Sequence, residues 1–270
     1  MTKLYSTGYT GTIGKYLSKS TYPIMLDLSS DQRNFHGIQF ETDSNLIHLA
    51  GIVGESQVLR NVRYAHSINI DGTTYLAKEF FKKSEGIFYY ISTSHVYAPS
   101  IDLITESNPT LPRNIYAEQK FEAESLLRSI FNLNPNRLCI IRVFSVLDWD
   151  SAPFTLGGGI RKLSDINSDF ILSNASDIRD FLTPKDIANA LFEIASAGTH
   201  FRIVNLCSGT GTSVGDAAKR MLFEGGFNVA ESRFSWIQSS NPFVVGDNSL
   251  LMSHHPNLKL FWQPSTLKLG

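Results

Sequence analysis

Apolar positions along the chain fall into two kinds of segment. Short continuous apolar runs at 3–7, 23–28, 45–50, 86–92, 138–144 and 201–207 have the length of strands and little polar alternation, which is how a strand reads when both its faces are covered. Between them, at 11–20, 58–83, 115–131 and 184–197, apolar residues recur three and four apart, the period of a helix face. The last of these starts well, with Thr183 as a hydroxyl cap and Pro184 at the first helical position. The alternation predicts an α/β fold built on a doubly wound, mostly parallel sheet. The pattern breaks twice. Residues 148–177 are interrupted by Pro153 and by Gly157-Gly158-Gly159, which reads as a flexible turn, a gate over the substrate being the alternative. Residues 209–270 are rich in Ser, Asn, Gly and Pro. These two stretches are expected to form one small lobe over the carboxyl ends of the strands, where open α/β sheets bind ligands. The expected division is 1–147 plus 178–208 for the sheet domain and 148–177 plus 209–270 for the lobe.

Composition narrows the function classes. With 270 residues, a formal net charge of −1 and a pI of about 6.7, the chain carries no basic footprint for nucleic acid or an anionic membrane. No apolar run approaches the roughly 20 residues that cross a bilayer. The chain opens on a strand-like run rather than a basic-then-apolar export signal, so a cytoplasmic location is expected. Cys139 and Cys207 lie inside apolar runs and read as buried thiols. The seven histidines show no metal-ligand spacing, and His254-His255 reads as solvated surface. A compact enzyme acting on a small molecule fits best.

Three stretches carry chemistry. Gly8, Gly11 and Gly14 stand three apart where the first strand turns into the first helix; glycine there lets the backbone approach a pyrophosphate, and the helix N-terminus favours its charge. Tyr116 and Lys120 stand four apart on a helical stretch, hence on one face. An ammonium beside a phenol favours the phenolate, pulling a pKa of about 10 toward neutrality and giving a usable general acid/base. Ser92-Thr93-Ser94-His95 closes a strand at its carboxyl end, where hydroxyls face the ligand crevice.

Together with Leu46-Ile47-His48-Leu49-Ala50-Gly51, Asn69-Ile70-Asp71-Gly72-Thr73, Arg142-Val143-Phe144, Ile178-Arg179-Asp180-Phe181 and Val204-Asn205-Leu206-Cys207-Ser208-Gly209, these stretches resemble, in order and nearly end to end, the extended short-chain dehydrogenases/reductases of the NAD-dependent epimerase/dehydratase family. The resemblance implies a Rossmann-type fold with a small C-terminal substrate-binding lobe, a nucleotide-diphosphate sugar as substrate, and NAD(H) or NADP(H) as cofactor. It implies that Gly8, Tyr9, Thr10, Gly11, Thr12, Ile13 and Gly14 hold the pyrophosphate, that Leu49, Ala50 and Gly51 border the adenosine half, and that Asn69 also belongs to the cofactor site. Tyr116 is then the proton donor or acceptor at a sugar oxygen, Lys120 lowers its pKa and bonds the nicotinamide ribose, and Thr93 bonds the same sugar oxygen. Thr93, Ser94, His95, Ser145 and Arg179 become the substrate contacts, Arg179 at the diphosphate. A homodimer through a four-helix interface is also implied, with Ile68, Tyr75, Leu76 and Phe80 on one helix and Phe121, Leu126, Leu127 and Ile130 on the other.

The departures from the family pattern are as informative. The chain is short between Gly14 and His48, and Asp27 either takes the adenine ribose hydroxyls, favouring NAD, or belongs to the following strand. Ser145 replaces an asparagine common in relatives, and 241–246 lacks the second phosphate-binding arginine that some epimerases carry. Ser94-His95 stands where the 4,6-dehydratases have Asp-Glu, which disfavours dehydration. A 4-ketoreductase is therefore expected, a 4-epimerase using bound NAD is the alternative, and a non-catalytic dinucleotide-binding sensor the second.

Overall fold

The computed structural model describes residues 3–17, 21–23, 38–237, 239–260 and 262. The chain begins with β1 (Leu4–Thr7), α1 (Gly14–Leu17), β2 (Tyr22–Pro23), β3 (Asn45–His48), α2 (Glu55–Arg60), α3 (Val62–His66) and α4 (Thr73–Lys83). It continues through β4 (Phe88–Thr93), α5 (Ile115–Ile130), β5 (Leu138–Val143), β6 (Ser145–Val146), α6 (Leu156–Leu163), β7 (Ile178–Leu182), α7 (Pro184–Ser196) and β8 (Ile203–Leu206). It closes with β9 (Gly211–Ser213), α8 (Val214–Glu224), β10 (Phe243–Val244) and α9 (Ser249–His254).

Six strands form one parallel sheet in the order β2-β1-β3-β4-β5-β8. Its apolar runs are buried on both faces, as continuous runs in a parallel sheet require. On one face Ile47, Ile91, Ile141 and Val204 meet Leu17, Ile187, Leu191, Ile194 and Leu251. On the other, Leu46, Phe88, Tyr90 and Ile140 meet Leu76, Phe80, Ala123 and Leu127. The order in which strands are added reverses between β1 and β3, and the carboxyl ends beside that switch point are where such sheets bind ligands. Both cysteines are buried thiols.

The helical stretch expected over 58–83 is not one helix. Asn61 ends α2 and caps α3 by accepting a hydrogen bond from Tyr64 N, and Ser67–Gly72 is a π-helical segment, a device found at functional sites. Of the residues expected at a subunit interface, Ile68, Leu76, Phe80 and Leu127 point inward and are buried. Leu126 is exposed and Tyr75, Phe121 and Ile130 are half-buried.

The second sheet runs β10-β7-β6 with β9 antiparallel on β7, so β7, expected in the sheet domain, pairs with the lobe strands β9 and β10, and β6 joins them through β7. The triple glycine is not a flexible turn. It lies in α6, whose cap Thr155 accepts from Gly158 N and whose Ile160 and Leu163 enter a core with Leu147, Phe181, Ala217 and Met221. A Cβ on Gly158 would stand 2.6 Å from Pro153 Cα, so close packing rather than flexibility selects glycine. Of the two histidines expected as solvated surface, His254 at the end of α9 is exposed and His255 is half-buried, and both rings meet Phe201.

Candidate active site

The loop after β1 lies against the loop after β3. Gly8 has φ +69°, and a Cβ there would sit 2.7 Å from Ala50 N; a Cβ on Gly14 would overlap the Gly8 carbonyl. Only glycine fits either place. A buried relay holds the two loops in register: Thr7 Oγ1 accepts from Ala50 N at 3.1 Å and bonds His48 Nδ1 at 2.7 Å, and His48 Nε2 bonds Thr73 Oγ1 at 2.9 Å. Burial, with the charge of Lys120 as a lesser cause, brings the His48 pKa down to about 3, so the imidazole is neutral.

Asn69, on the π-helical segment, accepts from Ile52 N at 2.7 Å and donates to Ile52 O and to Gln119 Oε1. Its side chain thus pins the loop that carries Gly51, serving the crevice through that loop. Gln119 is 3% exposed and its Nε2 finds no partner among the described residues. A cradle closed to any Cβ, two facing loops at the switch point and an unspent buried amide fit a dinucleotide. Tyr9, Thr10, Thr12, Ile13, Leu49 and Ala50 flank this cradle in the sequence of the two loops; Asp27 lies outside the described residues.

Thr93, Tyr116 and Lys120 converge beside it. Asn114 caps α5 by accepting from Ala117 N at 2.8 Å, which sets Tyr116 on the first turn facing the end of β4. The Thr93 hydroxyl stands beside the phenol and opposes the burial that pushes Tyr116 up to about 12. Lys120, one turn on, donates to Ile91 O at 2.6 Å and stands 4.5 Å above the Tyr90 ring. Burial brings it down to about 8, with Glu124 opposing. The expected pull of Lys120 on the phenol is therefore not what these side chains show: the ammonium is committed to the sheet, and desolvation dominates at Tyr116.

Beneath the pair lies a network that the sequence reading missed. Glu124, fully buried, takes Arg142 at 3.1 and 2.7 Å and Ser92 Oγ at 2.6 Å, and Arg142 stacks 4.6 Å from the Tyr97 ring. The spacing Lys120, Glu124 was a readable signal, since i,i+4 places both on one helix face.

On the substrate side, Ser94 is buried and His95 is open to the crevice, its ring 6.4 Å from that of Tyr116 and edge-on to it. The crevice walls, then the cations of Arg179 and Arg113, hold its pKa below the ordinary 6.5. Arg179, on β7, donates to Asp177 Oδ2 at 2.7 Å. Ser145 is half-buried on β6 opposite Phe181, and no hydrogen bond joins it to the Thr93–Tyr116 pair among the described residues. Asp180, beside Arg179, accepts from Ser208 N, Ser208 Oγ, Gly209 N and Gly246 N, tying the turn after β8 to the segment after β10.

A family model described as the NAD dependent epimerase/dehydratase family matches residues 26–207. The chain belongs to this family. The match begins after the glycine loop, whose geometry is thus separate support for a dinucleotide site. Among curated relatives, the chain is 25% identical over 200 residues to human dTDP-D-glucose 4,6-dehydratase, covering 73% of this chain and 57% of that protein. The chain thus spans just over half the length of that relative. Among solved structures, RMD from Pseudomonas aeruginosa complexed with NADPH superposes with a TM-score of 0.79 at 22% identity, covering 94% of this chain and 92% of that one. A dTDP-4-dehydrorhamnose reductase from Clostridium acetobutylicum gives 0.78 at 18% identity, covering 96% and 95%. At these identities the likeness establishes the fold.

Proposed function

We propose that this protein is a nucleotide-sugar 4-ketoreductase using NADH or NADPH. The observation that carries the reading is the buried Tyr116 phenol set beside Thr93, flanked by Ser94 and His95 where a dehydratase would place two acids. The likeness to a reductase and to an NADPH complex supports it, although a curated relative is a dehydratase.

The bound dinucleotide would supply a hydride to the sugar carbonyl carbon, reducing the ketone as the nicotinamide is oxidised. Gly8 and Gly14 would admit its pyrophosphate, and Gln119 offers the donor of its free amide. Thr93 and Tyr116 would hold the carbonyl oxygen. As the carbon–oxygen π bond opens, the phenol gives its proton to that oxygen. A phenol held near 12 stays protonated at neutral pH, which suits a donor to a developing alkoxide. Lys120, an ammonium below about pH 8, would bond the nicotinamide ribose, and solvent would return the proton to the phenol.

Arg179 would bind the diphosphate. A homodimer would bury the remaining apolar face of α4 and α5; light scattering at the monomer mass would remove that part. The deciding experiment mixes the protein with reduced cofactor and an NDP-4-keto-6-deoxy sugar and follows absorbance at the dihydronicotinamide band. Stoichiometric cofactor consumption supports a reductase. Interconversion of NDP-hexoses with no net consumption makes it an epimerase, and dinucleotide binding without turnover of either substrate makes it a sensor.

A further inference from the structure

The loop that leads into α5 carries an arginine that no element of the proposed reaction uses. Arg113 lies immediately before the Asn114 cap, three residues ahead of Tyr116, and is exposed. Its Nη1 donates to Ser240 O at 3.4 Å. Ser239, the neighbouring residue, donates through N and Oγ to the two oxygens of Asp177, and Asp177 holds Arg179. A continuous set of contacts, Arg113 to 240 to 239 to Asp177 to Arg179, therefore joins the loop before α5 to β7 and carries a guanidinium at each end.

The charges along this set do not balance. Arg179 has a carboxylate partner at 2.7 Å, whereas among the described residues no carboxylate pairs with Arg113. Arg113 and Arg179 lie near enough for the first to disfavour the charge of the second, adding to burial and opposing Asp177, and both act on His95. Converging like charges in a crevice are relieved by an oxyanion between them, and two planar forks suit phosphate or carboxylate oxygens. The tail segment 241–246 supplies no arginine.

We infer that Arg113 and Arg179 form a two-armed clamp that closes on an oxyanion of the substrate, with Arg113 supplied by the loop before α5. The inference rests on the nucleotide-sugar reading above and adds a binding residue to it. The oxyanion has two possible sources, the diphosphate itself or a carboxylate on the sugar.

The test is calorimetric titration of the dinucleotide-loaded full chain with UDP, dTDP and UDP-glucuronic acid, for wild type, Arg113→Gln, Arg113→Lys and Arg179→Gln. Loss of a charge-assisted contact corresponds to about 10- to 100-fold weaker binding. A loss of that size in Arg113→Gln for the nucleoside diphosphates, partly recovered in Arg113→Lys and with dinucleotide affinity unchanged, supports the clamp and assigns it to the diphosphate. A loss confined to UDP-glucuronic acid supports it and assigns it to a sugar carboxylate. Weakening by Arg179→Gln with none by Arg113→Gln overturns the clamp while sparing the nucleotide-sugar reading. Failure of wild type to bind any of the three overturns both.

Discussion

The six-stranded sheet and the C-terminal lobe are held together by different means. In the sheet, five strands contribute continuous apolar runs, and helices on both faces close over them, so cohesion is spread over many side chains at about 25 cal/mol per Å² of apolar surface. In the lobe the strands are only two to five residues long. Single polar side chains do much of the joining: Asp180 gathers three segments, and Arg233 bonds the carbonyls of Leu163, Asp165 and Ser168. Spread cohesion makes a rigid platform for a cofactor and an acid/base. Point cohesion makes a surface that can be rebuilt for a new substrate residue by residue.

Placing the chemistry on the platform has a direct consequence. Tyr116→Phe is expected to lower turnover by about 10²–10⁴-fold while leaving dinucleotide and nucleotide affinity nearly unchanged, since the ring still packs. Steady-state kinetics with a binding titration checks this, and a variant keeping more than about a tenth of wild-type turnover would remove Tyr116 as the acid/base.

The platform has point cohesion at one place, the buried Arg142–Glu124 pair. Arg142→Met leaves the fully buried Glu124 carboxylate with only Arg128 at 3.3 Å and the Ser92 hydroxyl as partners, with an expected cost of about 3 kcal/mol. Chemical denaturation measures it. The double variant with Glu124→Gln should recover part of the loss, and a single variant within 1 kcal/mol of wild type would show that the pair is not buried as a charge.

His48 gives the platform a pH dependence of its own. Its folded pKa of about 3 lies below the ordinary 6.5, so between these values the unfolded chain binds the proton and the native state does not. Stability from this group is complete above pH 6.5 and is lost as pH falls toward 3, by about 3 kcal/mol at pH 4. A stability profile from pH 7 to 4 should flatten in His48→Gln, and parallel profiles in the two proteins would discount the buried neutral imidazole.

At the seam of the two regions, Asp180→Asn turns one acceptor oxygen into a donor facing donors. The expected cost is about 2 kcal/mol, concentrated in the turn after β8 and the segment after β10. Amide exchange that quickens around Ser208, Gly209 and Gly246 more than in β4 would match; uniform quickening would mean that the seam is not a local joint.

The same contrast explains what the sequence disclosed. Strands such as Leu138–Val143 were readable because burial on both faces leaves an apolar run in one stretch of chain, and Tyr116 with Lys120 was readable because a helix brings i and i+4 together. Lobe strands such as Phe243–Val244 left no such trace, since their partners are remote in sequence. Gly157-Gly158-Gly159 misled because propensity favours a turn, while Thr155 as cap and the spacing Leu156, Ile160, Leu163 marked the helix. Arg113 was passed over because a lone charge before a helix cap looks like solvated surface until Ser240 is seen beside it.

The finest division between the regions comes from one chemical change made in each. Thr183 caps α7 on the platform by accepting from Asp186 N at 3.1 Å; Thr155 caps α6 in the lobe by accepting from Gly158 N at 3.3 Å and donating to Ala152 O at 2.6 Å. Replacing either by alanine frees one amide of a first turn and costs about 1 kcal/mol. For Thr183→Ala the loss should appear in global unfolding, because Ile187, Leu191 and Ile194 of that helix belong to the main core and the helix cannot open without it. For Thr155→Ala it should appear only in local opening, as faster exchange of the α6 amides with the denaturation midpoint unmoved, because α6 packs within the separate lobe core. Equal shifts of the midpoint in both variants would mean that lobe and platform unfold as one unit, and the distinction between spread and point cohesion would then describe packing without describing stability.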